Sequence, residues 1–138
     1  MLIASKLFAR PNLDLKRVFI IGGLMMGLAH VATSFISVLI PALAIWYLHD
    51  ILGAALLNPA QQTILQVYSR EDTRGKDVNV TQAFSSIGLA IGPVIGGYLA
   101  DVNINLPFLI GGIIVAAAAL IVLPLKQTKK ASTQQQNQ

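Results

Sequence analysis

The sequence predicts an all-α membrane protein of four transmembrane helices arranged as two hairpins. Three observations lead there. Hydrophobic residues make up 54% of the 138-residue chain and charged residues only 12%, against about 25% charged in soluble domains. The charges are also segregated. The 32 residues between Arg17 and Asp50 contain none, and residues 51–69, 78–100 and 102–125 are equally free of them. An uncharged apolar run of about 18 residues or more is a transmembrane candidate. Finally, all ten Lys and Arg residues fall in three segments, separated by stretches long enough for an even number of crossings.

Taken in order, residues 1–17 form a leading segment carrying Lys6, Arg10, Lys16 and Arg17. The block 18–69 is too long for one crossing, because about 20 residues rising 1.5 Å each cover a hydrocarbon layer about 30 Å thick. It divides into spans at about 18–36 and 38–68, with the turn in "TSFIS" (33–37). Pro41 then sits near the start of the second helix, where its missing N–H costs nothing. Arg70, Arg74 and Lys76 mark the connection between the hairpins. The second block, 78–125, divides at "DVNINLP" (101–107), whose Asp, Asn and Pro residues are loop formers, giving spans at about 82–100 and 106–125. Residues 126–138 read as a disordered cytoplasmic tail. Neither hairpin turn holds Lys or Arg, so the positive-inside rule places both termini and the 69–81 loop in the cytoplasm of a multi-pass protein of the cell membrane.

Several function classes drop out. Cysteine is absent, which removes disulfides and thiolate metal sites. The basic residues flank the spans instead of lining one face, so they set topology and do not point to nucleic acid. Three further apolar runs follow the first, unlike a cleaved signal peptide. No Gly-rich loop with Lys-Ser/Thr is present to cradle phosphates, so neither ATP nor any other cofactor is expected. The apolar runs hold only His30, His49 and Asp50 as titratable groups of catalytic type, with no His-x-x-x-His or paired carboxylates. An enzyme is therefore not expected. These three residues are instead candidates for a proton or substrate pathway. Asp50 lies about 13 residues after the turn, about 20 Å along its helix. A charge at such depth costs about 2.5–3.5 kcal/mol even on the lenient insertion scale, so intramembrane ionisable residues normally face a bundle interior or a wet cavity. Trp46 and Tyr47 stand close by in sequence, to line such a cavity or to pack.

The stretch "GLAIGPVIGGYLAD" (88–101) is the other unusual feature. Gly88, Gly92 and Gly96 are spaced by four and Ala100 continues the row, so all four share one helix face. Small-xxx-small rows let backbones approach closely in lipid. Pro93 removes one helical hydrogen bond, and Gly96 and Gly97 soften the next turn. Tight packing of this row against a neighbouring helix is expected.

Gly88-x-x-x-Gly92-Pro93-x-x-Gly96-Gly97 resembles the antiporter motif of the major facilitator superfamily, particularly its drug:proton antiporters. "LGAALLNPAQQTILQVYSREDTRG" (52–75) resembles that family's glycine-containing helix, proline and cytoplasmic loop ending in Arg-Gly. The sequence departs from the fuller pattern in places. Asn79 stands where the family's stronger motif copy has a further glycine, and His49 stands where an arginine is frequent. The segment "ASKLFARPNLDLKR" matches the family's basic loop only loosely. The departure at Asn79 and the loose entry segment favour helices nine to twelve of a twelve-helix bundle, with helices three to six as the runner-up.

The resemblance implies a C-terminal fragment of a transporter that moves small, drug-like solutes by alternating access with proton coupling. Its partners would be the lipid bilayer, a small-molecule substrate, and the missing transporter helices or a second chain. Two other readings stand beside it. A stand-alone four-helix exporter fits the length, but the first span lacks the membrane-embedded glutamate on which small multidrug exporters rely. A non-transporting membrane subunit is the other.

The topology is directly testable because introduced cysteines are the only thiols. Cysteines at Asn103 and Ser132 should label from opposite faces of the membrane, Ser132 from the cytoplasmic face. Labelling of both from one face contradicts four spans.

Overall fold

The computed structural model describes Phe8 and residues 13–124. Five α-helices and one π-helical turn account for nearly all of the described chain: α1 (Leu15–Ser34), α2 (Leu39–Leu48), the π turn (His49–Ala54), α3 (Ala55–Tyr68), α4 (Arg74–Val102) and α5 (Leu106–Leu120). No strand occurs among the described residues. The residues 1–7, 9–12 and 125–138, which include the expected tail, lie outside the description.

Three helices are long and apolar enough to cross a membrane: Leu15–Thr33, the composite Leu39–Tyr68, and Arg74–Val102. The fourth apolar helix is shorter. Leu106–Leu120 gives way to a turn, with Ile121 and Leu123 bonding carbonyls three residues back. The tightening precedes Pro124, which cannot donate to a helical ladder and disfavours helix in the residue before it.

Local chemistry fixes the ends. Asp14 caps α1 by accepting from the Arg17 N–H at 3.1 Å, and its carboxylate also pairs with the Arg17 side chain at 2.9 Å. Lys16 and Arg17 thus belong to the first turn of α1 instead of the leading segment. The Lys16 ammonium reaches the Leu123 carbonyl, joining the start of the first span to the end of the last. Between α4 and α5, Asn103 accepts from the Asn105 N–H at 2.9 Å, an Asx turn that reverses the chain in three residues. The helix α4 starts well before its apolar stretch. Its first turns carry Arg74, Lys76 and Asp77, with Thr73 Oγ1 donating to the Asp77 carboxylate at 3.2 Å, an acidic placement that suits a helix N-terminus.

The centre of the bundle is α1. It packs on α5 along one side and on the π turn and α3 along the other. Glycines make those contacts. A methyl group added at Gly27 would meet the Gly112 carbonyl oxygen at 2.6 Å, and one added at Gly112 would meet the Gly27 oxygen at 2.6 Å. The contact is reciprocal. At Gly22 a methyl would meet the Leu57 nitrogen at 2.8 Å, at Gly53 it would meet Met26 at 3.0 Å, and at Gly23 it would collide with the Ala119 side chain. The best buried residues are correspondingly small, with Ala60 at 0% and Ala119 at 2% exposure.

The glycine row of α4 behaves differently from the sequence expectation. Nothing lies within 4 Å of a methyl placed at Gly88, Gly92, Gly96 or Gly97. Phe84, Leu89, Val94 and Tyr98 around them are exposed, and α4 meets α5 and α3 only at its margins. The helix also continues through Pro93 without interruption. The tight helix contacts of this chain belong to Gly22, Gly23, Gly27, Gly53 and Gly112. The reason is placement: no residue of α4 is buried, so its row meets no other described element closely.

The contrast yields a stability prediction for the chain in detergent. Gly27→Leu forces α1 from α5 and should cost about 1–3 kcal/mol or more, the range for overpacking. Gly92→Leu meets open space and should leave unfolding unchanged, as followed by circular dichroism against denaturant. Equal effects would contradict the α1-centred packing.

Candidate functional site

His30 lies on α1, and His49 begins the π turn, 19 residues later in sequence. The fold brings them together. Their ring centroids are 4.3 Å apart with planes at 78°, an edge-to-face contact between neighbouring helices. His49 is buried at 7% exposure, and His30 is half-buried.

Each ring is tied to its own helix. His30 Nδ1 lies 3.0 Å from the Met26 carbonyl oxygen, and His49 Nδ1 lies 2.9 Å from that of Trp46. A carbonyl oxygen only accepts, so each Nδ1 carries the hydrogen and donates. In the neutral rings this leaves the lone pair on Nε2. The two bonds also fix how each ring is turned about its helix.

Aromatic rings close the pair from both ends. Phe108 of α5 stacks beside His30 at 6.3 Å and 28°, and Trp46 stacks beside His49 at 6.2 Å and 14°. Tyr47 meets Trp46 edge-on at 6.4 Å. Side chains from the first, second and fourth apolar segments therefore converge on one point. Beyond Lys16 and Arg17, α1 carries no charged residue, and α5 carries none.

The other expected residues fall out as follows. Asp50 belongs to the π turn by its backbone, and its side chain lies outside the description. Trp46 and Tyr47 both pack in the aromatic cluster and remain exposed, at 40% and 60%. The row Gly88, Gly92, Pro93, Gly96 and Gly97 lies on α4, away from the histidines. No group of three or more His, Cys, Asp or Glu suited to a metal occurs among the described residues. Phe108 is a cluster member that the sequence reading did not single out, and an isolated Phe in an apolar run gives no signal for it. The Gly23-x-x-x-Gly27 spacing in "GGLMMG" did carry a signal for the α1 contacts, since it is the small-xxx-small pattern itself.

Comparison with known proteins agrees with an apolar helical bundle of this kind. The profile of the Major Facilitator Superfamily matches residues 2–138. The chain belongs to that family of membrane transporters. It is also similar to the multidrug resistance protein 1 of Bacillus subtilis (strain 168), at 28% identity over 102 residues. That match takes in 72% of this chain and 25% of the relative, so the chain spans about a quarter of the length of that curated relative. No solved structure matches the chain.

Proposed function

We propose that the chain forms part of a proton-coupled exporter of small, drug-like solutes, working by alternating access, with the His30–His49 pair as a proton-carrying element. The observation that carries this reading is the pair itself. Two imidazoles from adjacent apolar helices meet at 4.3 Å, each anchored through Nδ1 and closed in by aromatic rings. Ionisable residues in membrane spans are costly and normally mark ion or substrate paths. Membership of a transporter family and similarity to a protein named for multidrug resistance support the export of small molecules.

The departure at Asn79 and the loosely matching entry segment support assignment to helices nine to twelve of the family's bundle. Both termini are then cytoplasmic in a cell-membrane protein, in keeping with the one-sided Lys and Arg distribution. In this reading α4 offers its open glycine face to the remaining transporter helices or to a second chain. Asp50, one residue from His49, is a further candidate for the proton path.

The test uses the intact transporter containing this segment, in vesicles with an imposed proton gradient. His30→Gln together with His49→Gln should lower gradient-driven accumulation by about 10²-fold, the lower end of what a positioned proton-transfer group contributes. Protein levels and gradient-independent substrate binding should be retained. Accumulation that keeps its full dependence on the gradient overturns the role of the pair.

A further inference from the structure

We infer that the corner of the bundle where α1 begins and α5 ends binds the headgroups of anionic phospholipids. The basic residues are shared between the connection of the two hairpins and the two ends of the chain, but the net charge is not. The connection carries Arg70, Arg74 and Lys76 against Glu71, Asp72 and Asp77, and is neutral. Residues 1–17 and 125–138 carry the other seven Lys and Arg residues against Asp14 alone. The positive-inside rule counts Lys and Arg and gives little weight to carboxylates, so both places satisfy it. It leaves the surplus at the ends unexplained.

The fold gathers that surplus. The Lys16 ammonium reaches the Leu123 carbonyl, so residues 107 apart in sequence meet at one end of the bundle. Next to Lys16, the side chain of Arg17 is 81% exposed. Lys126 follows Leu123 by three residues, which at about 3.6 Å per residue keeps its backbone within about 11 Å of it. By the same limit Lys129 and Lys130 stay within about 25 Å. Lys and Arg clustered at the end of a span attract anionic headgroups, the guanidinium pairing with phosphate through two N–H groups and the ammonium as a point charge. At the connection between the hairpins, by contrast, Asp72 already engages Arg70 with bonds of 2.9 and 3.1 Å.

Apolar surface adjoins the charge and selects a lipid over a soluble anion. Leu120, Ile121 and Leu123 are exposed at 42%, 73% and 52%, and Ile21, one helical turn from Arg17, at 52%. A phospholipid offers a phosphate to the basic residues and acyl chains to these side chains. Inorganic phosphate or an acidic soluble protein would meet only the first. The inference rests on charge placement and packing, and not on the transport reading.

Quenching by brominated lipids tests it, with the full chain in nanodiscs of phosphatidylcholine and phosphatidylglycerol. The chain has no cysteine of its own. Ile121→Cys therefore carries a single fluorophore at the corner, and Val80→Cys carries one near the neutral connection. Brominating one lipid at a time reads the local ratio of the two. Phosphatidylglycerol should be enriched at residue 121 over residue 80 by at least about fivefold, the effect of one basic residue near an anionic surface. The enrichment should vanish at about 1 M salt, where the Debye length is about 3 Å. Arg17→Gln with Lys126→Gln, Lys129→Gln and Lys130→Gln should also remove it, with Lys16 kept because it holds Leu123. Equal lipid ratios at the two positions in the unaltered chain overturn the inference, whether or not the substituted chain folds. Enrichment that persists in a folded substituted chain also overturns it. So does enrichment that inorganic phosphate abolishes at constant ionic strength, because the corner then recognises a free anion.

Discussion

In lipid an apolar side chain gains nothing by leaving the acyl chains for another helix, so the bundle depends on how closely backbones approach. The reciprocal contact of Gly27 and Gly112 meets that condition most directly. With no side chain on either residue, each carbonyl approaches the other helix at a distance no Cβ permits. Gly22, Gly23 and Gly53 extend the same contact along both sides of α1. Close approach adds dispersion contacts along the helices and the weak Cα–H···O bonds common at such interfaces. It explains why the best buried residues are alanines while large apolar side chains face outward. It also brings Phe108, one turn before Gly112, up to the ring of His30.

The hydroxyls follow from the same solvent. Thr33 and Thr63 donate to the carbonyls of Ala29 and Pro59, each at 2.8 Å, and Ser34 donates to that of Val31 at 2.6 Å. A hydroxyl in lipid with no partner would be costly, and bonding back along its own helix satisfies it without a second chain. The Nδ1 bonds of His30 and His49 repeat this solution. These five side chains are thus tied to their own helices, and the closest contacts between helices are left to glycine and alanine.

Much of this was legible in the residues. The uncharged runs marked apolar helices, because a charge within lipid is expensive enough to leave visible gaps in the sequence. The motif of α4 pointed to the family, but not to its neighbours. A glycine row states that a backbone can come close, and whether that backbone belongs to the same chain is a matter of topology. The histidine contact was beyond simple hairpin counting. Folding the first hairpin at its turn pairs His30 with about residue 43, and His49 lies about 9 Å deeper at the standard rise. The π turn left no signature either, since it is a matter of backbone hydrogen-bond register and "HDILGA" contains nothing foreign to an α-helix.

The position of His49 draws these constraints together. Four residues further along, Gly53 is locked to Met26, and a side chain there has no freedom to respond to anything. Three residues earlier, Trp46 is 40% exposed on a helix with no buried residue. His49 stands between these regimes, at the first residue of altered backbone. It is close enough to the glycine-held part to meet His30, and it adjoins the exposed helix α2. At the junction, the contact of two rings joins α1 to the residue where α2 gives way to the π turn.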